Sequence, residues 1–485
     1  MQILLKQVKS KKMQAQEYDY GMIGLGTMGR NLVYNMCDHG YRVAGFDKDA
    51  SKVDALGNEA DGRKVLGAHN LEDFIASLKS PKVIMLLVPA GHIVDAVIAE
   101  LKPFLSKDDL VMDCGNSHFT DTDLRTGQLA KEQIHFMGVG ISGGEYGARY
   151  GPSIMPGGAK AAYERVAPML KAVSAKVNDE PCVTWLGLGS AGHYVKMVHN
   201  GIEYGLMQLI VEAYHLLKEC LDINNDDLHK VFSKWNEGRL KSYLIEITAD
   251  IFAQNDDLTG NRLIDMILDT SKQNGTGQWT SQSAMELYLP IPVIDASVSA
   301  RDLSALKEER VAAQKMLQWH KVVFQGNDSE LAGWLENALY FSMITAYAQG
   351  MSLLQRASKE YKYDLNLNEV ARIWRGGCII RSVLLEDILS AYSDEPALSN
   401  LMVNKQLSLK LEQCQDGFRL AVKTAIDTGV PVPAMMASLA YYDGYRSGWL
   451  PANLVQAQRD YFGAHTYERT DRKGIFHTQW NQKQQ

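Results

Sequence analysis

Tyr20-Gly21-Met22-Ile23-Gly24-Leu25-Gly26-Thr27-Met28-Gly29 is the stretch on which the fold turns. A strand-like run, Tyr20 to Ile23, leads into a GxGxxG turn, and a helix-like run, Asn31 to Asp38, follows it. Glycine-rich turns are common, so the context carries the argument. The first glycine makes the tight turn, the second lets a pyrophosphate approach the backbone, and the third lets helix and strand pack closely. The helix N-terminus then offers free N–H groups and a positive dipole end to phosphates. Gly24, Leu25, Gly26, Thr27, Met28 and Gly29 are therefore assigned to a dinucleotide, with a purely structural strand-turn-helix as the alternative.

Outward from that turn, Gly40 ends the helix and Tyr41 to Phe46 returns as a second strand. Asp47 closes this strand, where an acidic side chain accepts hydrogen bonds from an adenine ribose 2′-hydroxyl and favours NAD. Lys48 offsets its charge and Asp49 adds a second negative one. The alternative is an ordinary solvated loop acid.

Further strand-like runs are Lys82 to Val88, Leu110 to Asp113 and Ile134 to Val139, separated by helix-like stretches. Strands alternating with helices imply a parallel sheet covered on both faces. Beyond Ala191 long amphipathic runs take over, such as Gly201 to Leu221 and Leu331 to Leu354. The fold class expected is an α/β Rossmann-type dinucleotide-binding domain (19–189), then a large all-α substrate and dimerisation domain (190–447). An extended C-terminal tail (448–485) follows. Residues 1–18 read as a disordered extension, with Met13 as an alternative start.

The chain has 485 residues, 46% hydrophobic and 22% charged, enough for a large core. A net charge of −7 argues against a nucleic-acid partner. The six cysteines are scattered without a CxxC pair, which argues against a metal site and fits a reducing compartment. No apolar run approaches the ~18 residues that span a bilayer. The expectation is a cytoplasmic protein without membrane or metal.

The most informative segment for chemistry is Gly192 to Tyr204. Lys196, His199, Asn200, Glu203 and Tyr204 stand at i, i+3, i+4, i+7 and i+8, one face of a helix. Val195, Val198, Ile202 and Leu206 lie among them, so the helix is expected to be buried. A lysine and a glutamate one above the other are candidates for an acid/base pair. The alternative is a satisfied stripe of surface pairs.

Lys196-Met197-Val198-His199-Asn200-Gly201-Ile202-Glu203-Tyr204 resembles the active-site helix of the 6-phosphogluconate dehydrogenases. So do Ile141-Ser142-Gly143-Gly144-Glu145, Asp113-Cys114-Gly115-Asn116-Ser117, Gly275-Thr276-Gly277, Trp374 to Arg381, and Gln458 to His465. These matches span roughly residues 20 to 478. The resemblance implies oxidative decarboxylation of 6-phosphogluconate to ribulose 5-phosphate in the pentose phosphate pathway, with NAD or NADP reduced. It makes Lys196 the general base at the C3 hydroxyl and Glu203 the acid that protonates C1 of the enediol. Asn116, Ser142, Gly143, Gly144, His199 and Asn200 would surround the sugar acid. Tyr204, Thr276 and Arg301 would hold its phosphate. Arg459 and His465 would come from the neighbouring subunit's tail, which implies a homodimer with shared sites.

Three departures from the family pattern stand out. The Asn-Arg-Thr that grips an NADP 2′-phosphate is Asp47-Lys48-Asp49 here, which points to NAD being used at least as well as NADP. A lysine before Gly-Thr-Gly is replaced by Asn274, with Lys272 as a nearby substitute for phosphate. The lysine of Val-Lys-Ala-Gly is Pro89, within the cofactor-facing Val88-Pro89-Ala90, so an N–H and a charge are lost. The nearest rival is a β-hydroxyacid dehydrogenase for another small acid.

Overall fold

The computed structural model of the protein describes residues 17–317 and 322–480. Seven strands form one sheet: β1 (Tyr20–Ile23), β2 (Val43–Phe46), β3 (Val65–Ala68), β4 (Val83–Leu86), β5 (Leu110–Asp113), β6 (His135–Ser142) and β7 (Ser153–Pro156). Their order is β3-β2-β1-β4-β5-β6-β7, all parallel except β7, which runs antiparallel to β6. The order reverses between β1 and β4, and such a switch point opens a crevice at the strands' carboxyl ends. Strands β1, β4 and β5 are buried at every residue, as parallel strands covered on both faces must be. Two apolar clusters cover the sheet. One includes Leu32, Val33 and Met36 of the Thr27–Asp38 helix, the other Val94, Val97 and Leu101 of the His92–Leu101 helix.

The expected strands and first helix are present, and two of the sheet's seven strands were not anticipated, β3 and β7. Of the expected N-terminal extension, residues 1–16 lie outside the described residues. Its last two residues are not loose: Glu17 and Tyr18 both donate backbone hydrogen bonds to the Ser77 carbonyl.

A 31-residue helix, Ala191–Leu221, opens the helical region and spans about 46 Å at 1.5 Å per residue. It packs on the 33-residue helix Asp328–Glu360, and Ile202 lies close over Gly350. The helix also lies directly on β6. A Cβ placed on Gly140 would stand 2.4 Å from the Cβ of Lys196, so only a glycine lets the two backbones approach this closely. Further along, the buried Glu212 accepts hydrogen bonds from the Ala434 and Met435 N–H groups at 2.8 Å each. It thereby caps the Pro433–Tyr445 helix.

The tail contains a helix, Ala452–Gly463, and a two-stranded ribbon, Tyr467–Glu468 with Ile475–Phe476. Asp460 ties them together. Its carboxylate accepts from Thr466 N, His477 Nδ1, Thr478 N and Trp480 Nε1. Burial opposes its ionisation, but these donors outweigh burial and hold the carboxyl well below the usual range. Among the described residues, no helix is long and apolar enough to cross a membrane, and no His/Cys/Asp/Glu group is placed to hold a metal ion.

Candidate active site

Two adjoining cavities open where β1 and β4 part. The first, about 570 Å³, is lined by Gly24, Gly26, Asp47, Lys48, Val88, Pro89 and Glu100, among others. The second, about 720 Å³, continues past Met28, Val88, Pro89 and Ala90 to Asn116, Asn274 and Trp279. The glycine turn fits a pyrophosphate. Gly24 has φ +99, and a Cβ on Gly29 would fall 1.9 Å from the Gly24 carbonyl oxygen, whereas a Cβ on Gly26 would meet nothing within 4 Å. The turn is therefore closed on the protein side and open at Gly26. The first helical turn carries no acidic residue to compete for its unpaired N–H groups.

Two of the predicted cofactor residues act differently from expectation. Leu25 is fully buried, and its N–H donates to Asp47 Oδ2 at 2.8 Å. That N–H is not available to a phosphate. Asp49 is a helix cap: its Oδ1 accepts from Ser51 N and Oγ, which lowers its pKa. Asp47 also accepts from Asp49 N at 2.9 Å. A carboxylate has about four acceptor positions, so two remain for ribose hydroxyls. Lys48 is drawn to Glu100, with Nζ 2.6 Å from Oε1 across the first cavity.

Beyond the second cavity the Ala191–Leu221 helix brings the catalytic candidates together. Ser142 Oγ, at the end of β6, is 3.3 Å from His199 Nε2. His199 Nδ1 contacts Asn200 Oδ1 at 3.0 Å, and Glu203 Oε2 lies 3.8 Å from the same nitrogen. Asn200 Nδ2 donates to Thr276 Oγ1 at 3.3 Å. The Arg301 guanidinium stacks 3.5 Å from the Tyr204 ring centroid. Gly143, at φ +121, turns the Ser142 loop against the backbone of Gly377.

Burial sets the electrostatics. It pushes the Lys196 ammonium down from its ordinary pKa, against the opposing influence of Glu203 and Cys378. It raises the Glu203 carboxyl, against Lys196 and Arg301. Burial, and then the Lys196 charge, drive His199 well below its usual value. An amine biased toward neutrality and a carboxyl biased toward protonation are in the states that an acid/base pair requires.

Lys272, Arg459 and His465 are exposed, and none hydrogen-bonds a member of this cluster. Arg459 instead donates to Gln456, one turn back in its own helix. Sequence reasoning missed Trp279 and His118 as cavity-lining residues and Cys378 as a neighbour of Lys196. Cys378 lay within a quoted motif, so its signal was present; Trp279 and His118 carried none.

The fold and site define a dinucleotide-dependent dehydrogenase with a buried lysine and a half-buried glutamate on one helix of a helical second domain. A model of the NAD binding domain of 6-phosphogluconate dehydrogenase matches residues 19–187, and one of its C-terminal domain matches residues 192–480. A decarboxylating, NADP(+)-dependent 6-phosphogluconate dehydrogenase of Bacillus subtilis is 52% identical, over 95% of this chain and 98% of that protein. A decarboxylating enzyme of Escherichia coli is 49% identical over the same shares. The Plasmodium falciparum 6-phosphogluconate dehydrogenase, solved apo, with NADP+ and with 6-phosphogluconate, superposes with a TM-score of 0.92 at 44% identity. That match covers 95% of this chain and 100% of the other. The chain belongs to the 6-phosphogluconate dehydrogenase family, and these full-length matches set aside the rival hydroxyacid dehydrogenase.

Proposed function

We propose that this chain converts 6-phosphogluconate to ribulose 5-phosphate and carbon dioxide with Lys196 as base and Glu203 as acid. The observation that carries the proposal is buried Lys196 and half-buried Glu203 on one helix face, with Glu203 3.8 Å from His199, which in turn meets Ser142 and Asn200, and Asn200 meets Thr276. A bound nicotinamide supplies the hydride acceptor. Neutral Lys196 takes the C3 hydroxyl proton as that carbon is oxidised to a ketone. The 3-keto group accepts the electron pair released when the bond from C2 to the carboxylate breaks, and protonated Lys196 hydrogen-bonds the developing oxyanion. Protonated Glu203 then delivers its proton to the former C2, which becomes C1 of the product. Ser142, Gly143, Gly144, His199, Asn200 and Asn116 orient the sugar acid. Tyr204, Thr276 and Arg301 receive the phosphate, since the guanidinium fork suits phosphate oxygens. Arg459 and His465 serve a neighbouring copy in a homodimer. Exposed Trp449, Leu454, Val455 and Phe462 on the same tail support that reading, being apolar surface in need of a partner.

For the cofactor, NAD is used at least as well as NADP. Asp47 lines the first cavity with acceptor positions to spare, and the cavity's two lysines are drawn to carboxylates rather than standing alone for a 2′-phosphate, Lys48 to Glu100 and Lys52 to Asp47 and Asp49 at 3.8 and 3.9 Å. The test is incubation with 6-phosphogluconate and each cofactor, following absorbance and carbon dioxide. The expected ratio of kcat/KM for NAD over NADP is one or greater. A strong NADP preference defeats the charge argument, and absence of carbon dioxide defeats the reaction.

A further inference from the structure

Arg125, on the Phe119–Ala130 helix, is only 3% exposed and touches neither cavity. Its Nη2 donates to the Gly91 carbonyl at 2.9 Å. Its Nη1 reaches Asp113 Oδ2 at 3.4 Å and Ser117 Oγ at 3.2 Å. Its Nε meets Asp95 at 2.7 Å, but that carboxylate is 58% exposed and the pair is weakened by water. Gly91 lies in the loop after β4 and Asp113 ends β5, and the segments that follow these two strands line the second cavity through Val88–Gly91 and Cys114–Asn116. One guanidinium thus links the two segments.

The connection continues to the catalytic helix. Asp113 is fully buried; its carboxylate accepts from Gly115 N at 3.1 Å and Ser117 Oγ at 2.6 Å, fixing the turn before Asn116. Its main-chain carbonyl accepts from His193 Nε2 at 3.0 Å. With Nε2 donating, Nδ1 of the neutral ring accepts from the Thr122 hydroxyl at 2.6 Å. His193 sits three residues before Lys196, one turn along the same helix. A buried ion pair is a poor device for stability alone, because an apolar side chain of similar volume does as well. An apolar side chain cannot, however, set the spacing between a loop carbonyl and a carboxylate on different strands.

We propose that Arg125 is a positioning residue for hydride transfer, holding the Val88–Gly91 and Asp113–Ser117 loops in register with each other and, through Asp113 and His193, with the helix that carries Lys196. Hydride transfer demands approach to ~3–3.5 Å, and a misplacement of about 1 Å costs on the order of 100-fold.

The test uses full-length Arg125→Met and Arg125→Lys, with kcat, both KM values and the isotope effect on kcat measured with 3-deuterated 6-phosphogluconate. In Arg125→Met, kcat falls about 10- to 100-fold, KM for 6-phosphogluconate stays within about twofold, and the isotope effect grows as hydride transfer becomes limiting. Arg125→Lys recovers part of the loss. A folded Arg125→Met with unchanged kcat and isotope effect overturns the proposal, even if its thermal midpoint is lowered. Should that variant not fold, Ser117→Ala removes one hydroxyl from the same network. A larger isotope effect is then expected, and an unchanged one overturns the proposal.

Discussion

Gly140→Ala probes the contact between β6 and the catalytic helix. The added methyl would stand 2.4 Å from Lys196 Cβ and 2.9 Å from Lys196 Cγ, where ordinary contact begins at 3.4 Å. Neither partner is the end of a flexible chain. The helix must therefore retreat by about 1 Å or β6 must buckle. Overpacking of this size costs about 1–3 kcal/mol of stability, which the domain can bear. In the proposed mechanism the same displacement carries the Lys196 amine away from the hydroxyl proton it removes, and such a shift lowers kcat by on the order of 100-fold. The assay is steady-state turnover at saturating 6-phosphogluconate and cofactor, with thermal unfolding measured on the same preparation. The expected result is a folded protein with a modestly lowered midpoint and a large loss of kcat. An alanine variant with unchanged kcat would show that Lys196 does not depend on this contact, and the positioning role given to the packing of β6 on its helix would be refuted.

Other perturbations address separate links. Lys196→Ala is expected to abolish nearly all turnover while substrate binding, measured calorimetrically, is partly retained; undiminished turnover removes Lys196 from the mechanism. Arg301→Lys keeps the charge but loses the guanidinium fork over Tyr204, so KM for 6-phosphogluconate should rise about 10-fold or more, from the ~1.5–3 kcal/mol of a charged hydrogen bond, with kcat little changed. Glu212 has its carboxyl pushed up to about 7 by burial, against the hydrogen bonds from Ala434, Met435 and Gln208. A raised folded-state pKa means that its stabilising contribution is complete below the unfolded value near 4.5 and is lost as pH rises through 7. Urea denaturation of wild type and Glu212→Gln should therefore diverge by ~3 kcal/mol between about pH 5 and pH 8, at 1.36 kcal/mol per pKa unit. Parallel profiles would show that the carboxylate titrates elsewhere.

The glycine turn and the stripe from Lys196 to Tyr204 were legible because both are local. Their meaning lies in spacings of two to eight residues, which turn geometry and helical periodicity translate directly into position. Strand β3 was missed because Val65-Leu66-Gly67-Ala68 lies at the sheet edge, with small residues and no alternation. Strand β7 was missed because it exists by pairing backward along β6, across the short helix Gly144–Tyr150. The same limit hid the double duty of Asp47. Its charge was readable, but its bond to Leu25 N crosses 22 residues and depends on how two βα turns meet. Arg125 carried no signal at all, since its partners at Gly91, Asp95, Asp113 and Ser117 meet it only after the segments following β4 and β5 pack beside its helix.

The Asp460 carboxylate has a consequence for whatever surface the tail encounters. Four donors drawn from 466 to 480 converge on one anion inside a segment little longer than twenty residues. Most of the conformational freedom of that segment is thus surrendered when the polypeptide folds, not when it meets another molecule. The hook arrives already shaped, so docking it need recover little ordering entropy from new contacts. Removing that single anion would leave the exposed aromatic side chains in place but loosen the frame that presents them.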